Sequence, residues 1–540
     1  MTMATIRMTT MTSEFTDDEA AALAPYVTNV DQPVFALINL PETVKGALFA
    51  RYSRSAKSVR RLLLDEFMDQ LQAGAAAGGD GPVNAGKADA LYQRVFNDYG
   101  DDSVAQLGGV HLACEDVSNL LTKVLERGRL AAYLEQSTRY IPYTQRRDGH
   151  WRYLVPAELD GHPLRADYIA ALDHAFEVYA GWIDPMRAWF EARYPKAATD
   201  SDQVYRSAIR AKALDTLRGL LPAATRSNVG IFGTGQAYEA LLLRMRANPL
   251  AEVRECADLM LQELRKVVPA FFTRVDQTDR GVRWSQYLSD TRDQTSAVMA
   301  RVTAGVDAEP RDEVHLADFD PDGEVKVVAA ALYASSALPD DQLLALARRM
   351  SPEERAAVLA AYVGDRANRR HRPGRAFERT GYRFDVLTDY GAFRDLQRHR
   401  LCTIDWQTLS VAHGFTQPEA IVEAGGDAQW RSVMTRCAEV HDALRDAGLA
   451  HVAPYVVPMA YRVRFVMDMN AREAMHVIEL RTAPQGHPAY RRVCQQMHRL
   501  IDERAGHHAI AAAMTYVDHS TVELERLQAE RRLEQKRSGR

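Results

Sequence analysis

Internal repetition is the feature that most constrains the fold. PVFALINL (33–40) reads as a short buried strand, and most of the chain after it shows apolar residues at helical spacing. DAEPRDEVHLADFDPDGE (307–324), acidic and holding two prolines, reads as a linker. The pattern then restarts with VKVVAAALYA (325–334), a second strand candidate, followed by more helices. Special residues recur in the same order. Arg127-Gly128-Arg129 corresponds to Arg398-His399-Arg400. LLLRMRANPLAEVR (241–254) corresponds to IELRTAPQGHPAYR (478–491), which pairs Arg244 with Arg481 and Arg254 with Arg491. With 540 residues, two or more domains are expected.

The finer pattern gives a helix over 44–71 and a glycine-rich loop over 72–90. Helices fill most of the chain from Leu91 to about Phe272. LQRHRLCTIDWQTLS (396–410) has the look of a buried helix interrupted by charge. Two short helices precede it, PDDQLLALARRM and SPEERAAVLAAYV; Ser351 is a good N-cap, with Pro352 in the first helical position and acids in the first turn. The expected organisation is a flexible tail (1–30), a first repeat (31–305), a linker (306–323), a second repeat (324–519) and a charged tail (520–540).

Composition narrows the function classes. A net charge of −5 gives no general electrostatic case for nucleic-acid binding, so any anion site must come from local arginine clusters. Five scattered cysteines without a C-x-x-C argue against a disulfide framework or zinc ribbon and fit a reducing cytoplasm. No apolar run approaches the ~18 residues of a membrane span, and the N-terminus lacks the apolar core of a signal peptide. His476, His487, Cys494 and His498 are close in sequence but lack metal-type spacing, so no metal site is expected. Cys402 reads as a small buried residue.

Arginine stays charged and offers a planar fork to phosphate and carboxylate. Several arginines from separate segments therefore suggest an anionic ligand. A histidine between two arginines is expected to be neutral. The bland alternatives are a solvated helix face for Arg398-His399-Arg400 and a satisfied core histidine for His476. Against them, VIELRTAPQGHP places Arg481 behind an apolar run, where a buried guanidinium must be paired. MDMNAREAMHVIELR gathers Asn470, Arg472, His476 and Arg481 within one helical stretch.

These residues resemble the flavin-dependent thymidylate synthases, whose motifs are R-H-R-x-x-S-x-N-E-x-S-x-R-Y, N-x-R-x-x-x-N-x-x-x-x-R, R-x-x-L-P and G-H-x-S-x-x-E-H. The first half keeps Arg127, Arg129, Glu135, Ser137, Arg139 and Tyr140. It also keeps Arg218 in LRGLLP, Arg244, and Gly100 and Ser103 in YGDDSVAQL; Gly233, Gly235 and Glu239 replace the N-x-R and later Asn. The second half keeps Arg398, His399, Arg400, Asn470, Arg472 and Arg481, with His476 for the second Asn. Its motif continues Thr403, Asp405, Trp406, Thr408, Ser410, Val411, its PYVVP carries Pro454 for the arginine, and HRPGRAFE (371–378) replaces G-H-x-S-x-x-E-H.

The resemblance implies an α+β fold of two tandem repeats, each a small sheet with several long helices. It implies a flavin-type set in Arg398, His399, Arg400, Asn470, Arg472, His476 and Ser103. It implies a nucleotide-type set in Glu135, Ser137, Arg139, Arg218 and Arg244, with Arg481 or Arg244 stabilising charge on the uracil. The implied reaction is reductive methylation of dUMP or a related uridylate, with FAD as cofactor and NADPH and methylenetetrahydrofolate as co-substrates. Family sites lie between subunits of a homotetramer, so a homodimer of fused repeats is expected to imitate it, with hybrid sites. The alternative is a homologue that binds flavin or nucleotide without this chemistry.

Overall fold

A computed structural model describes residues 14–53, 55–69, 71 and 106–538. They form two compact units. One draws on Met1–Glu115, Gly128–Glu135 and Asn228–Ala304, the other on Asp116–Arg127, Gln136–Ser227 and Gly305–Arg540. Among the described residues no helix is long and apolar enough to cross a membrane.

The first repeat, whose residues 116–127 and 136–227 belong to the second unit, is built on a three-stranded sheet. Strand β1 (Gly109–Ser118) runs into helix α1 (Asn119–Leu125), and strand β2 (Ala131–Glu135) follows. After the long helices α2 (Arg165–Arg193) and α3 (Asp202–Leu217) comes β3 (Arg226–Thr234), then α4 (Gly235–Arg246) and α5 (Ala251–Val267). The sheet order is β1-β3-β2, with β2 antiparallel to β3 from Ala131↔Gly233 to Glu135↔Val229. Leu242, Val253, Ala257 and Leu264 bury one stripe of α4 and α5.

The second unit carries a four-stranded sheet. Strand β4 (Val314–Phe319) is followed by helices α6 (Gly323–Tyr333), α7 (Asp340–Arg349) and α8 (Pro352–Val363). Then come strand β5 (Gly381–Asp389), helix α9 (Tyr390–Leu396), strand β6 (Thr403–Trp406) and helix α10 (Asp427–Asp446). The last repeat elements are β7 (Arg462–Asn470), α11 (Ala471–Arg481) and α12 (Pro488–Glu503); α13 (Leu527–Ser538) ends the described chain. The order is β4-β5-β7-β6, and β5 pairs with β7 from Gly381↔Asn470 to Asp389↔Arg462. Tyr382, Phe384 and Val386 on β5 and Val463, Phe465 and Met467 on β7 alternate inward, the period of a sheet with one buried face.

The two repeats have one topology. Each runs strand, helix, strand, a long helical segment (two helices in the first repeat, one long helix in the second), strand, helix, helix, and its third strand lies between the other two; β4 is added at one edge. The helix starts also match. Ser118 caps α1 and Asp389 caps α9, while Thr234 caps α4 and Asn470 caps α11, each through a side chain accepting from the residue three positions on. Inside the second unit the repeats meet at equivalent points. Pro222 bridges Pro458, Ala223 N donates to Val457 O, and Met459 N donates to Leu221 O.

Several expectations from local pattern are corrected. Residues 325–334 are helical rather than a strand, because three alanines favour helix and adjacent Val327 and Val328 both find the core. Residues 33–40 give only one antiparallel bridge, Val27↔Leu37, since Asn39 turns left-handed at φ 54°. The presumed linker contains β4. Residues 44–71 break at Tyr52, and Ser58 caps a new start. Strands β1, β2 and β3 interrupt the run expected to be mainly helical, and the helix expected over 396–410 ends at Leu396. By contrast, Ser351 caps α8 in a full capping box with Glu354, and Pro352 opens the helix.

Candidate functional site

The turn after α9 places Arg398 and Arg400 outward and His399 inward. His399 Nε2 accepts from Arg481 Nε at 2.8 Å. A guanidinium can only donate, so this nitrogen holds the lone pair and Nδ1 the hydrogen. Burial, reinforced by Arg481 and His476, pushes the His399 pKa well below the ordinary range, and the ring is neutral. His476 meets it edge-on at 5.6 Å. Its Nδ1 faces Arg372 Nη2 at 2.9 Å, and burial, helped by Arg372 and Arg369, lowers its pKa to about 4.

Glu473 completes this cluster, with Oε1 3.9 Å from His399 Nδ1. Burial raises its pKa to about 7 against the pull of Arg372 and Arg472. Ligand atoms of His399, Glu473 and His476 lie within 4.8 Å of one another. Yet each imidazole turns its lone pair to an arginine and its hydrogen elsewhere. Arg481, Arg372 and Arg369 also act on these rings, and their charge repels a cation. The cluster is therefore a poor metal site.

The remaining residues of this set have structural partners. Asn470 Oδ1 accepts from Glu473 N at 2.9 Å as the cap of α11. Arg472 donates to Pro373 O at 3.0 Å and to Glu378 Oε1 at 3.3 Å, tying segment 371–378 to the helix. Ser103 lies outside the described residues.

A second cluster joins the repeats within the same unit. Arg139 makes a two-pronged pair with Asp215, at 2.8 and 2.6 Å, and donates to the Tyr490 hydroxyl at 3.0 Å. Ser137 Oγ accepts from Arg139 N at 3.2 Å and shapes the turn. Arg481 lies 5.4 Å from the centre of the Tyr490 ring. Arg218 Nη1 donates to Asp395 Oδ2 at 3.2 Å. Burial alone would raise the Asp395 pKa, but Arg218, Arg398, Arg481 and Arg139 outweigh it and hold the carboxylate ionised. Arg139 and Arg218 from the first repeat thus share one electrostatic cluster with Arg398 and Arg481 from the second.

A cavity of about 420 Å³ opens beside this cluster, lined by Asp215, Arg218, Asp389, Trp430, His487 and Arg492 among others. Arg218 Nη2 and Trp430 Nε1 are buried without hydrogen-bond partners. Gly391 lets the guanidinium lie close, since a Cβ there would stand 3.3 Å from Arg218 Nε and Nη2. Burial, with Arg218, lowers His487 to about 3, so it is neutral. Two orphaned donors at one cavity suit an oxygen-rich ligand.

The first unit repeats the Arg481–His399 arrangement with different parts. Gly128 stands where His399 stands, and a Cβ on it would come 2.6 Å from Tyr133 Oη and 3.6 Å from Arg244 Nη2. The Tyr133 hydroxyl donates to Gly128 O at 3.1 Å and occupies space an imidazole would need. Glu135 is buried at the end of β2, opposite Val229. The expected nucleotide set is thus divided, with Glu135 and Arg244 in the first unit and Ser137, Arg139 and Arg218 in the second.

Motif reading missed Asp215, Asp395, Glu473, Tyr490 and Arg372. Asp395 had a usable signal, an acid inside the apolar helix YGAFRDL just before Arg398. Asp215 had a similar one in AKALDTL, but Tyr490 had none.

The family model described as thymidylate synthase complementing protein matches residues 47–270 and 315–505, one segment for each repeat. A UPF0159 protein of Chlamydia pneumoniae is 37% identical over 525 residues, 96% of this chain and 98% of its own length. A flavin-dependent thymidylate synthase of Clostridium tetani is 29% identical over 177 residues, 32% of this chain and 65% of that protein. The crystal structure of the UMP/dUMP methylase PolB from Streptomyces cacaoi, bound with 5-Br dUMP, has 21% sequence identity and a TM-score of 0.30. It covers 37% of this chain and 94% of that one. With two matched segments and two repeats of one topology, the chain belongs to the thymidylate synthase complementing protein family as a tandem duplication.

Proposed function

We propose that this chain is a flavin-dependent methyltransferase acting on dUMP or a related uridylate, with methylenetetrahydrofolate as carbon donor and NADPH as reductant. The observation that carries the proposal is the shared cluster of Arg139, Arg218, Arg398 and Arg481 beside a cavity with orphaned donors. Arg218, Arg398, Arg481 and Arg139 all act on the one carboxylate of Asp395, while Asp215 pairs with Arg139. A phosphate monoester offers acceptor oxygens for the Arg218 Nη2 donor left without a partner. Family membership and the partial match to a flavin-dependent thymidylate synthase point the same way.

In this reading Arg218 takes the nucleotide phosphate through Nη2, and Arg139, oriented by Asp215, supports it. Arg481 is aimed by the neutral His399 and stabilises negative charge developing on the uracil ring. Arg244 is the equivalent residue of the first unit. Arg398 and Arg400 expose guanidiniums on either side of His399, a donor set that fits the pyrophosphate of FAD. Bound FAD supplies the hydride; the protein binds and orients. Arg472 and His476 shape that surface from behind through segment 371–378, and Asn470 through the cap of α11. A homodimer bringing four repeats together is part of the same proposal, and sedimentation of the full chain tests it.

The test has two readouts. Purified protein should retain FAD through desalting and show the visible bands of oxidised flavin. It should then release tritium from 5-tritiated dUMP in the presence of NADPH and methylenetetrahydrofolate. A second reading is favoured by the pairing of Arg139 with Asp215 and of Arg472 with Glu378, which spends ligand-type arginines inside the chain. A nucleotide-binding homologue without catalysis would raise its melting temperature with dUMP yet release no tritium.

A further inference from the structure

We infer that the cleft between α2 and α3 is a second anion site, built for a chain-like ligand carrying several negative charges. It stands apart from the uridylate reading, because none of its lining arginines belongs to that site. The cleft has a volume of about 580 Å³, with Arg187 on one wall and Arg206, Ser207 and Arg210 on the other. Beyond Ser207 and Arg210 a smaller hollow of about 190 Å³ continues to Tyr140, Arg526 and Glu530. The Arg526 guanidinium lies 4.1 Å from the centre of the Tyr140 ring.

The charges in this groove are poorly neutralised. Arg206 and Arg210 sit one turn apart on the same side of α3, where like charges repel. Both are exposed, and among the described residues neither is within ion-pair distance of a carboxylate. The acid nearest Arg206 in sequence, Asp202, is held first by Lys196, with Arg206 a weaker, longer-range partner. Arg187 has only the exposed Asp184 at 3.2 Å, and its Nε is buried without a partner. Arg526 is paired with Glu530 at 3.0 Å, so it marks the far end of the groove more than it adds charge.

Three guanidiniums face one cleft, with a fourth further along, and Asp184 is the one acid among the described residues lining the cleft. A ligand with successive anionic groups would relieve their repulsion. The shared chemistry is an oligo-anion; its source is a short phosphate chain or a short carboxylate chain.

Titration calorimetry on the full chain with inorganic tripolyphosphate and with tri-γ-glutamate tests this. At least one should bind, and stronger binding by one identifies the source. R206A/R210A should weaken binding by roughly tenfold or more, given the worth of charge-assisted hydrogen bonds. R206K/R210K should recover part of it, and Arg187→Ala should weaken it independently from across the cleft. A melting temperature equal to wild type confirms that these surface variants are folded. Binding of neither anion, or equal binding by wild type and both alanine variants, overturns the inference.

Discussion

The Arg139–Asp215 pair offers the sharpest test of the cluster, through Asp215→Asn. Both side chains are under 10% exposed, at 9% and 6%, and they share two hydrogen bonds of 2.8 and 2.6 Å. Removing one partner of such a pair leaves a buried charge uncompensated, which costs about 3–5 kcal/mol. The Tyr490 hydroxyl softens this only slightly, because it is a neutral acceptor for one nitrogen. Urea unfolding at pH 7 should therefore show a midpoint lowered by that energy divided by the m-value. A double-mutant cycle with Arg139→Met separates mechanism from mere packing. Deleting both charges should be less damaging than the sum of the single changes, with a coupling of about 1–3 kcal/mol.

The pH dependence follows from the direction of the Asp215 shift. Burial works to raise its pKa, but Arg139 outweighs burial and the folded value lies below the ordinary one. The pair's stabilisation is thus fully present above the unfolded pKa of about 3.9 and is lost as pH falls through the folded value. Asp215→Asn should lack that acid-side contribution. A destabilisation under about 1 kcal/mol, with strictly additive effects, would refute the view that Asp215 holds Arg139 in place.

Three further outcomes are expected. Arg398→Ala should weaken FAD retention while Arg139→Ala weakens dUMP binding with flavin kept; equal loss of both ligands in either variant would contradict the division of roles. Glu473, raised from 4.5 to about 7, keeps a proton in the folded chain that the unfolded chain has already lost. Stability should consequently decline as pH rises across that window, and Glu473→Gln should flatten the decline in unfolding curves. Gly391→Ala places a methyl 3.0 Å from Asp389 Oδ1 and 3.3 Å from the Arg218 guanidinium. An overpacking cost of about 1–3 kcal/mol and weaker nucleotide binding should follow, the latter read by calorimetry.

The duplication was legible because arginines at fixed places in a motif survive as sequence order. The strands were less so. In GVHLACEDVS the alternation of Val110, Leu112 and Cys114 is broken at Asp116, and Val110, Ala113, Cys114 and Val117 fit helical spacing as well as a strand. The segment 325–334 misled in the other direction, its alanines and valines reading as a buried strand. The site's anions were hidden for a different reason. Asp215 is 76 residues from Arg139, and Tyr490 is 351 away, so no local pattern could join them. A lone acid in a helix ordinarily reads as solvent-facing, and only the fold shows that it neutralises an arginine.

The comparison of equivalent positions separates what each repeat needs to fold from what it lends to chemistry. At the helix starts the repeats keep interchangeable capping residues, Ser118 with Asp389 and Thr234 with Asn470. Each supplies the same hydrogen bond, worth about 1 kcal/mol. At the ligand-type positions they keep complementary residues instead: Gly128 against His399, Arg218 against Pro454. Where both repeats share an element, Arg244 and Arg481, the surroundings differ, a tyrosine hydroxyl and glycine backbone in one and a neutral imidazole in the other. Asn470 therefore belongs first with the caps. Asn470→Ser should preserve the fold and most flavin binding, whereas Asn470→Ala should lose about 1 kcal/mol in urea unfolding. If the serine variant instead lost flavin while retaining full stability, the side-chain amide would be acting on the ligand and not on the helix.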